Sequence, residues 1–372
     1  MKIVLIGNVN SVHIHRWISW FNKINQDLIL ITDQNTVPGW VKESNKVYQL
    51  PNPNGYRIPG YWSYRVFMNS LKVNKIIKNE KPDIVHVHQL SNYLSIHIDF
   101  HPLVINAWGS EVYRMVRGGI DEKFIRINLK KADFVLGTTK EMIDTLNREF
   151  NVPFEKMDYF MWGLDTKLFR PRENKESLKK ELSLPEDKII FISPRGLSVL
   201  YRNNIIVEAF ARALKRRDDI FLVILGYNTN EKIKEEVISI IKERGISESV
   251  KIIPSKLDPA QLAIYFSTSD FYIGIPSSDQ LSSALLESMA SGCVPIVSNL
   301  KAYEEVIEDK RNGFVMHSDD PEELSEIIIE AAEMNHKLKD WRIKNRKFVE
   351  DNYEWDNLAS KMIKIYTDLI ER

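Results

Sequence analysis

Apolar runs of four to six residues recur along this chain of 372 residues, separated by longer segments with helical periodicity. Each run is long enough for a buried strand and too short for a typical helix. Strands that alternate with helices form parallel sheets with crossover connections, so the pattern predicts an α/β fold. The predicted strands are 2–6, 28–31, 84–87, 103–107, 134–137, 189–193, 221–226, 250–254 and 271–275.

The segment 276–292, P-S-S-D-Q-L-S-S-A-L-L-E-S-M-A-S-G, follows the last of these strands. Its pattern predicts a polar loop and then a helix that Ser282 or Ser283 caps. The first amides and the dipole of such a helix favour a phosphate. Asp279 and Glu287 place two carboxylates beside this anion site, where they suit neutral partners such as a ribose diol or a sugar hydroxyl. A capped surface helix with a solvated glutamate is the alternative interpretation.

The first strand, 2–6, ends at Gly7, and the loop G-N-V-N-S-V-H leads into a helix. This order is the beginning of a Rossmann-like unit. The sequence contains neither G-x-G-x-x-G nor G-x-x-x-x-G-K-[ST]. A dinucleotide-dependent oxidoreductase and a P-loop enzyme are therefore disfavoured.

Histidines and an aromatic loop follow three predicted strands of the first half. His13 follows the first strand, His88 closes D-I-V-H-V-H, and W-G-S-E follows 103–107. Ligands of an open parallel sheet bind outside the carboxyl ends of its strands, so these residues are binding candidates. A packed, structural role is the alternative for each histidine, and we expect His86 to point away from His88. No histidine pair has metal-ligand spacing, so we predict no metal site and no cofactor.

Charge and cysteine content narrow the class of protein. The 51 basic and 51 acidic residues give no net charge, which argues against a nucleic-acid-binding protein. The single cysteine, Cys293, excludes an internal disulfide and fits a reducing cytoplasm. The apolar run at the N-terminus is shorter than a signal peptide, and no stretch approaches the length of a membrane span. We therefore expect a cytoplasmic protein whose contact with the inner face of the cell membrane, if it has one, is peripheral.

The segment 54–67, N-G-Y-R-I-P-G-Y-W-S-Y-R-V-F, is dense in aromatic residues and arginines. One interpretation is a loop followed by a helix that packs Trp62 and Phe67 inward, and this is the interpretation we favour. The other is a surface for a membrane or a lipid-linked acceptor, because aromatic and basic residues suit an interface.

Arg195 follows the strand 189–193 in the loop P-R-G. A basic loop above the end of a strand is a place where a diphosphate can be held. A surface ion pair is the alternative. The preceding segment, 171–186, is charged and lacks a strong apolar period, so we interpret it as a linker that carries a helix. We expect domains at 1–170 and 187–345.

Several motifs together resemble those of glycosyltransferase family four, whose members are retaining, nucleotide-sugar-dependent enzymes of GT-B architecture. The resemblance is carried by W-G-S-E at 108–111, F-M-W-G-L-D-T-K-L-F-R-P at 160–171, S-A-L-L-E-S-M-A-S-G-C-V-P-I-V-S-N at 283–299 and E-V-I-E-D-K-R-N-G-F-V at 305–315. The family's E-x(7)-E signature falls on Asp279 and Glu287, with the first glutamate shortened to aspartate. The family's histidine at the W-G-S-E loop is Trp108 here, and His13 or His88 is a candidate to replace it. The family's lysine after the 189–193 strand falls on Tyr201.

The resemblance implies two Rossmann-like parallel-sheet domains that face a central cleft. The first would bind the acceptor, the second would bind the nucleotide-sugar, and 346–372 would form a C-terminal helix that crosses back to the first. The implied catalytic residues are Arg195, Asp279 and Glu287. Implied donor-binding residues are Gly7, Asn8, His13, Arg202, Pro254, Ser278, Gln280, Leu281, Ser282 and Ser283. Residues implied for the acceptor or the donor sugar are His88, Trp108, Gly109 and Glu111.

The expected activity is transfer of a sugar from a UDP- or GDP-sugar to a hydroxyl acceptor, with retention of configuration. The acceptor class would be a polysaccharide, a cell-envelope glycan or a glycolipid. Two alternatives stay open at this point: a nucleotide-sugar epimerase or phosphorylase on the same architecture, and a non-catalytic scaffold that binds nucleotide.

Overall fold

The protein divides into two compact units in a computed structural model that describes residues 1–55, 60–113, 119–159, 163–227 and 230–372. The first unit comprises Met1–Trp162 and Asp356–Arg372, and the second comprises Gly163–Trp355. Each unit is built around its own parallel sheet. The α/β fold predicted from the alternation of strands and helices is confirmed.

The described part of the first unit contains a seven-stranded parallel sheet in the order β3-β2-β1-β4-β5-β6-β7. Its strands are β1 (Lys2–Ile6), β2 (Asp27–Thr32), β3 (Lys46–Gln49), β4 (Ile84–His88), β5 (Leu103–Asn106), β6 (Phe134–Gly137) and β7 (Met157–Tyr159). Its helices are α1 (Val12–Lys23), α2 (Gly39–Ser44), α3 (Tyr61–Glu80), α4 (Ser110–Tyr113), α5 (Ile120–Lys131) and α6 (Lys140–Phe150).

In the described part of the second unit a six-stranded parallel sheet has the order β10-β9-β8-β11-β12-β13. Its strands are β8 (Ile189–Ser193), β9 (Ile220–Leu225), β10 (Val250–Ile253), β11 (Phe271–Gly274), β12 (Val294–Ser298) and β13 (Phe314–Met316). Its helices are α7 (Lys175–Glu181), α8 (Asn203–Leu214), α9 (Glu231–Glu243), α10 (Pro259–Thr268), α11 (Ser283–Ala290), α12 (Pro321–Met334) and α13 (Lys339–Tyr353).

The central strands are apolar on both faces because helices cover both faces of a parallel sheet. In the first unit one face packs against α3, α5 and α6, where Val73, Ile125 and Leu146 are fully buried. The other face buries Trp17 and Phe21 of α1. The predicted strand positions are confirmed to within one residue because a buried parallel strand is a continuous apolar run.

The last helix, α14 (Trp355–Ile370), belongs to the first unit from Asp356 onward, whereas α13 belongs to the second. Inside the first unit, Lys23 of α1 donates a 2.8 Å hydrogen bond to Asp356. The motif at 160–171 contains the point where the chain leaves the first unit, and its residues 160–162 lie outside the described residues. The segment 171–186 lies within the second unit and contains α7.

No helix in the described ranges combines the length and the apolar character that crossing a membrane requires.

Candidate functional site

Each sheet has a switch point where the chain reverses the direction in which it adds strands. In the second sheet this point lies between β8 and β11, which are neighbours although they are far apart in sequence. Ligands of open α/β sheets bind at such points, outside the carboxyl ends of the strands. Arg195 follows β8 and Asp279 follows β11, so the fold brings these two predicted residues to one place.

The Arg195 guanidinium contacts the side chains of Asp279, Ser282 and Tyr201. We call these four side chains the Arg195 cluster. One terminal nitrogen donates to Asp279 at 2.9 Å and to Ser282 at 2.6 Å, and the other donates to the Tyr201 hydroxyl at 2.5 Å. The guanidinium also lies 4.2 Å from the centre of the Tyr201 ring. An arginine has five N–H donors. Three of them are used in these contacts, so among the described residues two N–H groups remain for a ligand.

Asp279 is largely buried and has other donors besides Arg195. One oxygen accepts from the Gln280 amide at 3.0 Å, and the other accepts from the Tyr303 hydroxyl at 3.3 Å. Burial raises the pKa of Asp279, and the positive charge of Arg195 opposes this shift. The carboxylate and the guanidinium neutralise each other, so the cluster can lie beside a ligand anion without presenting a bare negative charge.

Tyr272 supports this cluster from the strand beneath it. Its fully buried hydroxyl hydrogen-bonds to Ser282, and burial raises the pKa of Tyr272 to about 12. Gly274 leaves room for this ring, because a Cβ atom there would overlap the Tyr272 hydroxyl. Ser282 is the N-cap residue of α11, but its side chain does not cap the helix and instead accepts from Arg195. The prediction of a serine side-chain cap is therefore wrong at Ser282.

Glu287 lies on the second turn of α11, as predicted, and only 7% of its surface is exposed. Its charge contributes to raising the pKa of the half-buried Tyr227, although burial of the tyrosine is the larger cause. Arg195 and Tyr201 also act on Tyr227. Glu287 and the Arg195 cluster therefore act on the same side chain.

The predicted Arg202 does not join the cluster. Its guanidinium donates to Asp319 at 2.7 Å, while the adjacent Tyr201 contacts Arg195. The remaining predictions for the second unit fall in loops at the same edge of the sheet. Pro254 follows β10, and the loop from β11 to α11 carries Ser278, Gln280, Leu281 and Ser282, while Ser283 is the first residue of α11.

The switch point of the first sheet lies between β1 and β4. Gly7 follows β1, and a Cβ atom there would come within 2.6 Å of Ile14 and 3.1 Å of His88. Glycine is therefore required for α1 to approach the end of β4. Asn8 is exposed and accepts a hydrogen bond from the Asn10 amide at 2.9 Å.

Three predicted rings meet at this edge. The Trp108 ring packs edge-on against His13 at 5.5 Å and against His88 at 5.8 Å, measured between ring centres. The Trp108 indole N–H donates to His88 Nδ1 at 3.3 Å, which places the proton of a neutral His88 on Nε2. Gly109 has a φ of 102°, a conformation that favours glycine.

Glu111 organises the loop that carries Trp108. Its buried carboxylate accepts from the Trp108 amide at 2.8 Å and from the Leu90 amide at 3.2 Å. Burial raises the pKa of Glu111, and these backbone donors oppose the shift. The loops after β4 and β5 are thereby joined through one side chain.

His86 does not point away from His88, and that prediction is wrong. Residues two apart on a strand share a face, and the two imidazoles stack with ring centres 4.6 Å apart. The Tyr366 hydroxyl of α14 lies 2.5 Å from His86 Nδ1. When Tyr366 donates, Nδ1 is the acceptor, and the proton of a neutral His86 is on Nε2, as in His88.

All three histidines of this edge favour the neutral form. Burial lowers the pKa of His86 to about 4 and that of His13 to about 4, where Arg16 adds to the effect. Burial also holds the pKa of His88 well below its usual value, and the neighbouring imidazoles contribute. We infer neutral hydrogen-bonding groups here at neutral pH.

The sequence alone did not predict roles for Tyr272, Tyr303, Tyr366 or Tyr201. Tyr201 had a signal, because it stands where the resembling family has a cationic residue. Among the residues that the structure describes, no group of three or more histidine, cysteine, aspartate or glutamate side chains could hold a metal ion.

Two family models match the chain. One, described as glycosyl transferase 4-like, covers residues 2–139, and the other, described as glycosyl transferases group 1, covers residues 174–348. Among curated proteins, the alpha-monoglucosyldiacylglycerol synthase of Streptococcus pneumoniae is 26% identical over 264 residues, which are 69% of this chain and 56% of that protein. The aligned region is therefore little more than half of this relative.

Solved structures match over almost the whole chain. A glycosyltransferase from Rickettsia africae has a TM-score of 0.81 at 15% identity, covering 100% of this chain and 99% of that one. The Anabaena protein HepE, in complex with UDP and glucose, has a TM-score of 0.78 at 13% identity and covers 99% and 100%. At these identities the likeness shows the shared GT-B fold. With both family models matched, the chain belongs to the group 1 glycosyl transferases and is a glycosyltransferase of family-four type.

Proposed function

We propose that this glycosyltransferase moves a sugar from a nucleoside diphosphate sugar to a hydroxyl acceptor with retention at the anomeric carbon. The observation that carries the proposal is the Arg195 cluster at the switch point of the second sheet. The complex of the HepE neighbour with UDP and glucose supports a donor of this class. The resemblance to family four supports retention.

In this proposal Arg195 stabilises the charge that develops on the leaving diphosphate. Its two remaining N–H groups and the amides of Leu281–Ser283 would contact the phosphate oxygens. Positioned donors of this kind stabilise a transition state more than a ground state, and each contributes about 10²–10³ in rate. Tyr201 then acts as a positioning residue, because its ring and hydroxyl hold the guanidinium in place.

The two carboxylates take different parts of the donor. Glu287, buried on α11, would accept hydrogen bonds from the ribose hydroxyls. Asp279, already neutralised by Arg195, would accept from hydroxyls of the sugar. Both contacts explain why acidic side chains stand beside a diphosphate site.

The transfer step needs no nucleophile from the protein. The bond between the anomeric carbon and the diphosphate oxygen breaks, and its electron pair stays on that oxygen. The acceptor oxygen forms the new glycosidic bond on the same face of the sugar. The acceptor proton passes to the leaving phosphate, which carries the charge that Arg195 stabilises.

The first unit would supply the acceptor side of the reaction. Neutral His13 and His88, together with Trp108, offer hydrogen bonds and apolar contact to hydroxyl-rich ligands. The name of the pneumococcal relative, alpha-monoglucosyldiacylglycerol synthase, supports a lipid acceptor. We place the reaction in the cytoplasm, at the inner face of the cell membrane when the acceptor is a lipid.

Purified protein incubated with UDP- and GDP-sugars and an alcohol acceptor tests the proposal. We expect nucleoside diphosphate and a new glycoside in equal amounts, and proton NMR should show the donor's anomeric configuration in the product. Epimerised donor in the absence of acceptor would instead identify an epimerase. Bound nucleotide without turnover of any donor would identify a non-catalytic scaffold.

A further inference from the structure

An apolar stripe lies on the outward face of α3 in the first unit. Tyr64, Phe67, Met68 and Leu71 are 58%, 51%, 41% and 40% exposed. Their spacing of i, i+3, i+4 and i+7 places them side by side on one face of the helix. The prediction that Phe67 packs inward is wrong, whereas Trp62 does pack, stacking on Phe124 of α5. Scattered single apolar residues need no explanation, but a contiguous patch marks an interaction surface.

Lysines continue the same face toward the C-terminus of α3. Lys72, Lys75 and Lys78 are exposed and follow the stripe at helical spacing. Within the described ranges neither Lys72 nor Lys75 forms an ion pair, and Lys78 lies 3.6 Å from the exposed Asp99. We call the apolar stripe and these three lysines the α3 face.

The charge of α3 differs from that of the chain. The helix has four basic residues and one acidic residue, whereas the whole chain has no net charge. The acidic residue, Glu80, already contacts Lys2 and Lys46. A second copy of this face would therefore bring no anion to the lysines. An anionic lipid surface would bind both parts of the α3 face. The apolar side chains would insert among the acyl chains, and the lysines would contact the anionic headgroups.

Helix α5 extends the surface on the same layer of the unit. Ile120 and Ile127 are 49% and 39% exposed, and Lys123 and Lys130 are exposed beside them. Both α3 and α5 begin at the carboxyl edge of the sheet, where His88 and Trp108 lie. A membrane at this surface would meet the same edge of the first unit that holds the candidate acceptor residues.

We propose that the α3 face docks on a membrane surface rich in anionic lipid. The inference names a partner for the proposed function, and the placement of a lipid-linked acceptor rests on that function. The docking itself depends only on the α3 face. The proposed contact surface differs from the segment 54–67 that was predicted from the sequence. Residues 56–59 of that segment lie outside the described residues, and the exposed stripe extends beyond it to Leu71.

Co-sedimentation with vesicles tests the proposal. We expect the full chain to bind vesicles of mixed phosphatidylglycerol and phosphatidylcholine, and to bind phosphatidylcholine alone more weakly. A lysine near an anionic surface contributes about fivefold, so Lys72→Gln with Lys75→Gln should weaken binding about twenty-five-fold. Phe67→Ser with Leu71→Ser should weaken it more than about tenfold on both kinds of vesicle.

Matched controls come from an exposed helix of the second unit. The single change Ile343→Ser and the double change Lys344→Gln with Lys347→Gln are comparable substitutions on α13 and should leave vesicle binding unchanged. The proposal is overturned if the wild type does not bind anionic vesicles, or if the α3 variants bind these vesicles as strongly as the wild type. It is also overturned if the wild type is a dimer that Phe67→Ser with Leu71→Ser dissociates, because a second copy then occupies the face.

Transfer to a soluble acceptor separates this inference from the proposed function. The α3 variants should keep the wild-type rate with an alcohol acceptor. Vesicle binding by a protein that turns over no donor would leave the docking standing and reject the transfer activity.

Discussion

The two switch points of this molecule have the same topology, but one carries charged side chains and the other carries neutral ones. The one in the second sheet holds a charged arginine, an aspartate and hydroxyl groups. The one in the first sheet holds neutral imidazoles and an indole. A developing phosphate charge needs the former, and a neutral hydroxyl ligand suits the latter. Equivalent places in two similar sheets are thus specialised by the side chains that follow their strands.

Removal of Arg195 should have the largest effect, because it is the charge on which the second site depends. We expect Arg195→Ala to lower kcat by about 10²–10³. It should also lower the temperature of unfolding, because the buried Asp279 carboxylate loses its ion-pair partner. The measurement is nucleotide release at saturating donor. The matched control is Arg216→Ala, an exposed arginine paired with Glu326, and it should keep full activity. Equal losses in both variants would contradict the assignment.

Acid should lower the stability of the first unit more than that of the second. His86 has a pKa of about 4 when folded, against about 6.5 when unfolded, so the unfolded state binds the proton more readily. The free energy of unfolding is therefore highest above about pH 6.5, where His86 is neutral in both states. It falls as the pH drops towards 4, and the loss from His86 is about 2 kcal/mol at pH 5. Hydrogen exchange at pH 5 and pH 7, corrected for intrinsic rates, should show more opening of β4 than of β8. Equal changes in both strands would reject this difference.

Glu287→Gln should weaken nucleotide binding by about tenfold, because a charged acceptor forms stronger hydrogen bonds with a ribose diol. Isothermal titration with nucleoside diphosphates measures this, and Glu236→Gln on α9 is the control. Undiminished affinity in Glu287→Gln would place the ribose elsewhere.

Tyr366→Phe should have the smallest effect, about 1 kcal/mol of unfolding free energy, since it removes one buried hydrogen bond. It also frees His86 Nδ1, so nitrogen NMR of the imidazoles should show a change of tautomer at His86. Tyr303→Phe in the second unit should leave the imidazole spectrum unchanged. An unaltered His86 signal in Tyr366→Phe would remove α14 from the account of this edge.

Local patterns predicted most of the sheets but not every strand. Most buried strands were found because continuous apolar runs mark them, as at β8 and β9. The predicted strands do not include β3, β7, β12 and β13. β3 and β7 are short and half-exposed, β13 has only three residues, and Pro295 interrupts the apolar run of β12. α11 was predicted because polar loop residues precede its periodic apolar positions.

The sites could be predicted only in part, because a motif names residues but not their distant partners. Arg195 and Asp279 lie 84 positions apart, and the rule for strand ends brought them to one edge. Tyr366 lies 280 positions from His86, and no local pattern connects them. The outward direction of Phe67 was missed because an aromatic residue at helical spacing usually packs inward.

The most direct test of the Arg195 cluster as a diphosphate site is a thermal-shift titration with UDP, GDP, ADP and the corresponding nucleosides. One diphosphate at about 100 times its dissociation constant should add about 2.7 kcal/mol of stability. We expect this shift in the wild type, a much smaller one in Arg195→Ala, and none with the nucleosides. If no diphosphate shifts the temperature of unfolding, or if Arg195→Ala shows the same shift as the wild type, the Arg195 cluster is not the diphosphate site.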